Sequence, residues 1–261
     1  MSLAQNPVIL TYHSVSEGRS PLRISPALFA AQMAWLAANA RVIPLAELVD
    51  LLRQQRPLPS RTVVLTFDDA FADFQSDVAP VLQRWGFPAT VFVPTAYCGR
   101  WNDWPGQPDW VEKQPLMTWE QVRALADQQV DFGTHSRTHP VLTGLNSAEA
   151  EQEIVGSKQD LESATGKPVQ FFCYPFGRFN PAVREIVQRS FRGACATGAG
   201  VVAHTANLFA LPRVDAHYLR SEFIFSSLFT RRFQSYIWGR RMIRRLRGQP
   251  EGYVLSGGAG T

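Results

Sequence analysis

Residues 61–74, RTVVLTFDDAFADF, run from an apolar, β-branched segment straight into two adjacent carboxylates, Asp68 and Asp69. The segment 61–67 reads as a buried strand. Such a strand ordinarily ends in Gly, Asn or one polar residue. Two neighbouring acids repel each other and need a cation, a hydrogen-bond network or open water. On either side, short apolar runs alternate with amphipathic stretches. Strands are expected at 7–12, 88–93, 130–136 and 168–177, and helices at 25–39, 74–86, 118–128, 146–166 and 180–190. The helix signals are Ser25 followed by Pro26, the Thr118/Gln121 capping-box spacing, and glycines at 86 and 166. This alternation predicts an α/β fold, either an open wound sheet or a distorted (β/α) barrel of about seven parallel strands; both gather chemistry at the carboxyl ends of the strands.

The chain of 261 residues is 45% hydrophobic and 18% charged, the composition of a globular protein with a sizeable core. Its net charge of +4 is uneven: residues 228–247 hold seven arginines and no acid, which leaves the remainder slightly acidic. The expected organisation is a catalytic unit over 1–227, a basic amphipathic helix over 228–247 and a flexible tail over 248–261. Three cysteines without CxxC spacing, Cys98, Cys173 and Cys195, argue against a disulfide framework. The opening MSLAQNPVILTYHSV has no basic segment leading a long apolar one, and no run is long enough to span a bilayer. The expectation is a cytoplasmic protein, peripheral to the membrane if the basic helix lies on an anionic surface. Docking of that helix on the barrel is the competing expectation; nucleic acid is not expected.

Polar residues collect at the strand ends. His13 ends the first strand, Asp68 and Asp69 the next, His135 and His139 follow the strand around Phe132, and Pro175, Phe176 and Gly177 follow the one around Phe172. The i, i+4 spacing in THSRTHP (134–140) predicts two imidazoles on one side of a helical turn, and two imidazoles with a carboxylate form a common set for a divalent metal. If Asp69 joins those histidines, Asp68 is left to accept a proton from a water that the metal acidifies. The bland alternative has Asp68 and Asp69 capping a helix that begins near Phe71, and Asp73 is assigned to such capping outright.

TFDD at 66–69, HSRTH at 135–139 and YPFG at 174–177, in that order, resemble the polysaccharide deacetylase family, the nodulation-deacetylase-like group also called carbohydrate esterase family four. The resemblance spans residues 7–216. It implies a distorted (β/α) barrel that removes N-acetyl, sometimes O-acetyl, groups from amino-sugar polymers. It further implies Asp68 as catalytic base and Asp69, His135 and His139 as ligands of one divalent ion, usually zinc. The Tyr174-Pro175-Phe176-Gly177 segment would bind substrate, with the Phe176 N–H on the oxyanion and its ring in the acetyl pocket. The family's LxxH motif is matched by LTYH at 10–13, as in branches that resemble circular permutations, which makes His13 the general acid. Two positions depart from the family pattern. Ala70 replaces a glycine, and Cys173 replaces an arginine that steadies the base; Arg213 is the candidate substitute, with a plain surface arginine as the alternative. His217 is an outside candidate and His204 a surface residue. Trp101, Trp104 and Trp110, in the loop CGRWNDWPGQPDW (98–110), suit a glycan platform or the packing of a long loop. The implied substrate is a glycan or a lipid-linked sugar. A non-catalytic glycan-binding module and a hydrolase of another acyl group stand as alternatives.

Overall fold

The computed structural model of the protein describes residues 6–18, 20–108, 111–128 and 130–246. The chain opens with β1 (Val8–Tyr12), the short pair β2 (Ser14–Val15) and β3 (Arg23–Ile24), and helix α1 (Pro26–Asn39). There follow β4 (Arg41–Val42), α2 (Leu45–Arg53), β5 (Thr62–Phe67), α3 (Ala79–Trp85) and β6 (Ala89–Val93). Next come α4 (Trp119–Ala126), β7 (Val130–Thr134), α5 (Ser147–Thr165), β8 (Phe171–Cys173) and α6 (Pro181–Ser190). The chain closes with β9 (Gly193–Cys195), β10 (Val214–Asp215), α7 (Glu222–Phe225) and α8 (Arg231–Leu246). Caps explain several boundaries. The Ser25 side chain accepts from the Leu28 N–H, capping boxes start α4 at Thr118 and α5 at Asn146, and Gly166 ends α5 at φ +68°.

Seven parallel strands run in the order β10-β1-β5-β6-β7-β8-β9, with β4 beside the start of β5. The two edges of this sheet are brought together by one stretch of chain. Leu211 exchanges backbone hydrogen bonds with Ala194 and Ala196, flanking Cys195 of β9, and three residues later Val214 and Asp215 pair with Leu10 and Thr11 of β1. The sheet therefore curls into a distorted (β/α) barrel, as expected. Strand alternation sorts its residues: Val63, Leu65 and Phe67 of β5 and Val8, Leu10 and Tyr12 of β1 face the helices, whereas Ile9 and Val64 belong to an inner cluster that α2 plugs with Leu45, Leu48, Val49 and Leu52. Continuing the inward rows of period two brings Thr11 then His13, and Thr66 then Asp68, to the carboxyl-end rim.

Several expectations need correction. Asp73 caps nothing: its carboxylate accepts from the Ser14 hydroxyl and so ties the segment after β1 to the turn after β5. The turn it was expected to cap winds as a π-helix over Phe74–Val78 before α3. Residues 135–139 form no helical turn, because Ser136 and His139 have φ of +64° and +58°. The strand within 168–177 is only Phe171–Cys173, and α2, β9 and β10 had not been anticipated. The basic helix docks on the barrel through Phe233 and Ile237, both buried with Leu228 in the main core; residues 247–261 lie outside the described residues.

Gly133 shows how tightly the sheet is packed. A Cβ there would lie 2.6 Å from the Phe92 ring and 2.8 Å from the Phe171 carbonyl. Gly133→Ala should cost about 1–3 kcal/mol in urea unfolding. Gly198→Ala, where nothing lies within 4 Å, should change stability by less than about 0.5 kcal/mol.

Candidate active site

The two adjacent acids are separated by the backbone between them. Asp68 lies on the inward row of β5, and the chain then turns through Asp69 at φ +70° and Ala70 at φ +56°. The side chains consequently enter different environments, and each finds its own positive or ligating partners. The turn is held from outside by a backbone hydrogen bond of 2.8 Å from Met117 to the Ala70 carbonyl and one of 3.0 Å from Ala72 to the Pro115 carbonyl.

Asp69 meets both histidines. Its Oδ1 lies 3.6 Å from His135 Nε2 and 3.5 Å from His139 Nε2, with all three residues buried. That oxygen has no hydrogen-bond partner among the described residues, although it is sealed from water. His135 donates from Nδ1 to the Cys173 carbonyl at 2.7 Å, which orients the ring with Nε2 toward Asp69. Burial pushes the Asp69 carboxyl up; burial and the neighbouring His135 push the His139 imidazole well down. A dry, unsatisfied carboxylate oxygen converging with two imidazole nitrogens is what a divalent ion needs, and one oxygen with two nitrogens suits a transition metal. Asp68, His135 and Cys173 also converge. That set fits a metal less well, because burial pushes the Cys173 thiol well up and Asp68 is already committed to an arginine.

The arginine is Arg213. Its guanidinium spans both oxygens of Asp68, with Nη1 and Nη2 each 2.7 Å from one of them. It also reaches the Thr66 hydroxyl at 3.2 Å, the Ala196 carbonyl at 3.1 Å and Cys173 Sγ at 3.0 Å. Cys173 thus leaves room where a longer side chain would stand, and the residue just before β10 supplies the cation. Burial alone would raise the Asp68 pKa, but the charge and hydrogen bonds of Arg213 hold it well below the usual carboxylate range.

These groups line one cleft of about 940 Å³, counted to its open mouth. His13 lines it from the end of β1, with Nδ1 3.9 Å from an Asp215 oxygen. Phe176, at φ +56°, lines it with its ring 4.7 Å from that of His139, and Tyr174 lines it beside the Phe179 ring. Pro175 and Gly177 are buried behind them and do not line the cleft. The tryptophans divide. Trp104 is 2% exposed and packs 4.2 Å from the His139 ring, as a wall of the cleft rather than an exposed platform. Trp101 is 52% exposed and does not line the cleft, and Trp110 lies outside the described residues. His204 is exposed, and His217 is not among the lining residues.

Sequence reasoning missed the supports of the histidine loop. The Glu153 carboxylate, from α5, accepts the Arg137 and Thr138 N–H groups at 2.9 and 2.8 Å and the Thr138 hydroxyl at 2.7 Å. Asp160, two turns further along α5, accepts from Arg137 Nε at 2.9 Å and from the Thr95 hydroxyl at 2.8 Å. Both acids look like ordinary solvent-facing charges in a helix rich in Glu and Ser, so no local signal marks them. Thr197, Asp215 and Tyr218 also line the cleft without a sequence signature.

Residues 55–190 match the polysaccharide deacetylase family. YxkH of Bacillus subtilis, which carries a polysaccharide deacetylase name, is 27% identical over 208 residues, covering 79% of this chain and 70% of that protein. The poly-β-1,6-N-acetyl-D-glucosamine N-deacetylase of Escherichia coli is 31% identical over 140 residues, 49% of this chain but only 20% of that relative's length. Among solved structures, IcaB from Ammonifex degensii superposes with a TM-score of 0.73 at 23% identity, covering 86% of this chain and 96% of that one. The Streptococcus pyogenes deacetylase PplD in complex with acetate gives 0.71 at 22% identity, covering 80% and 92%. These two are likenesses of fold. With just over half of its residues inside the family match, and with that fold, the chain belongs to the polysaccharide deacetylase family.

Proposed function

We propose that the protein hydrolyses the N-acetyl group of an amino-sugar glycan, using one divalent ion held by Asp69, His135 and His139. The observation that carries this reading is the division of labour between the two aspartates: Asp69 Oδ1 faces two imidazole nitrogens, while Asp68 is locked by Arg213 beside them. Zinc is the metal we assign, since two imidazoles and one carboxylate leave an open position of the kind catalytic zinc uses. Held so far down by Arg213, Asp68 is too weak a base for ordinary water; a bound divalent ion would acidify that water and polarise the acyl carbonyl.

The chain's own residues do the rest. The bidentate pair fixes the plane of the Asp68 carboxylate and keeps it ionised, ready to take the proton of an attacking water. Phe176 and Trp104 present apolar walls against His139, suited to an acetyl methyl and to excluding stray water. His13, lining the same cleft with Asp215 beside it, gives a proton to the departing nitrogen. The C–N bond breaks to leave acetate and a free amine. The E. coli relative's name supports an N-acetylglucosamine polymer as the substrate class, with a lipid-linked sugar as the other source of the same acetamide. The arrival of Arg213 at the position Cys173 leaves open favours an enzyme over a non-catalytic glycan-binding module.

Three outcomes test this reading. Asp68→Asn should keep its zinc by elemental analysis and lose about a thousandfold in acetate release from N-acetylglucosamine oligomers; wild-type turnover would remove the base assignment. Zinc should raise the melting temperature of the apo protein by several degrees and leave that of an Asp69→Ala, His135→Ala double variant unmoved. Glu153→Ala, which frees the histidine loop without touching a ligand, should weaken zinc about tenfold by calorimetry.

A further inference from the structure

The helix α8 has two apolar faces, and only one of them is used by the barrel. Phe233 and Ile237 are buried in the core, and the Tyr236 hydroxyl donates to the Tyr218 carbonyl at 2.9 Å. Away from that contact, Trp238 is 66% exposed and Ile243 51% exposed, on either side of Met242, which lies one turn after Trp238. Phe223, 60% exposed, lies alongside, its ring 4.6 Å beneath the Arg232 guanidinium. A helix already anchored through one face gains nothing in water from Trp and Ile on the other.

The charge around this patch is of one sign. Residues 216–246 contain seven arginines and one acid, Glu222. Arg231 and Arg232 are exposed and have no carboxylate partner among the described residues. We infer that the outer face of α8, with Phe223, docks on an anionic phospholipid bilayer. Aromatic and aliphatic side chains enter the acyl boundary while the arginine stems snorkel to the phosphates. A second copy of this chain fits worse, because an isologous contact would set arginines against arginines. Nucleic acid has no use for the apolar Met242 and Ile243. No helix among the described residues is long and apolar enough to cross a membrane, so α8 would lie in the surface. The docked helix touches the cleft directly: Arg240 sits 3.9 Å over the Tyr218 ring, which lines it. This surface stands independently of the chemistry assigned to the cleft.

The test is co-sedimentation of the full chain with vesicles of phosphatidylglycerol and phosphatidylcholine in equal parts, against vesicles of phosphatidylcholine alone. The mixed vesicles should bind about tenfold or more tightly, and added salt should weaken them. A Trp238→Ser, Ile243→Ser variant should lose about tenfold in affinity, and an Arg231→Gln, Arg232→Gln variant should lose both affinity and salt dependence. Phe223→Ser replaces the first variant if its thermal melt is shifted. Equal binding by wild type and the apolar variants overturns the proposal. So does no binding to either vesicle, or an apolar patch whose loss abolishes a dimer in analytical ultracentrifugation or the retention of an oligonucleotide instead.

Discussion

The ion pair between Arg213 and Asp68 lies almost wholly buried at the floor of the cleft and joins residues 145 positions apart. Neither charge would be tolerable there alone; removing one partner of such a pair typically costs about 3–5 kcal/mol. Its geometry offsets that burden with two charge-assisted bonds, and the remaining donors of the guanidinium go to Thr66, Ala196 and Cys173. The pair keeps Asp68 ionised and holds the plane of its carboxylate. On the proposed function, this is what leaves Asp69 to the metal and Asp68 to the proton.

The rim of the barrel was legible because strands write their alternation into the chain. The run TVVLTF places Thr66 and, two residues on, Asp68 on one face; VILTYH does the same for Thr11 and His13. What could not be read depends on the third dimension or on very short elements. β4 and β10 are two residues each, too few to show a period. The spacing of HSRTH suggests a helical turn, but Ser136 and His139 adopt left-handed backbone that no propensity announces. Trp104 turns inward because the loop around it is pinned to the segment after β5, a contact between residues far apart in the chain. Glu153 and Asp160 hold the histidine loop from a helix whose sequence reads as a solvated face. Arg213 could be nominated only through the family resemblance, and its bidentate grip is a fact of barrel closure alone.

Backbone strain is gathered where the chemistry is. Of the seven non-glycine residues with positive φ among the described residues, Asp69, His139 and Phe176 line the cleft, and Ala70 and Ser136 are next in the chain to lining residues. Such conformations cost on the order of 1 kcal/mol or more each and persist only where neighbouring bonds over-determine them. Here the bonds are identifiable: Met117 to Ala70, Ser136 to the His139 N–H, and Glu153 to the two amides between the histidines. Ala70 occupies a position where glycine would be free of this cost, while its methyl is buried in the core, a partial compensation.

The stretch 211–215 fastens the last strand to the first and carries Arg213 between its two attachments. During synthesis, Asp68, Asp69 and both histidines leave the ribosome well before this latch does. A nascent chain therefore holds Asp68, Asp69, His135 and His139 while its barrel is still unlatched and Asp68 has no arginine. The pair that fixes Asp68 thus forms late, with the same few residues that close the barrel.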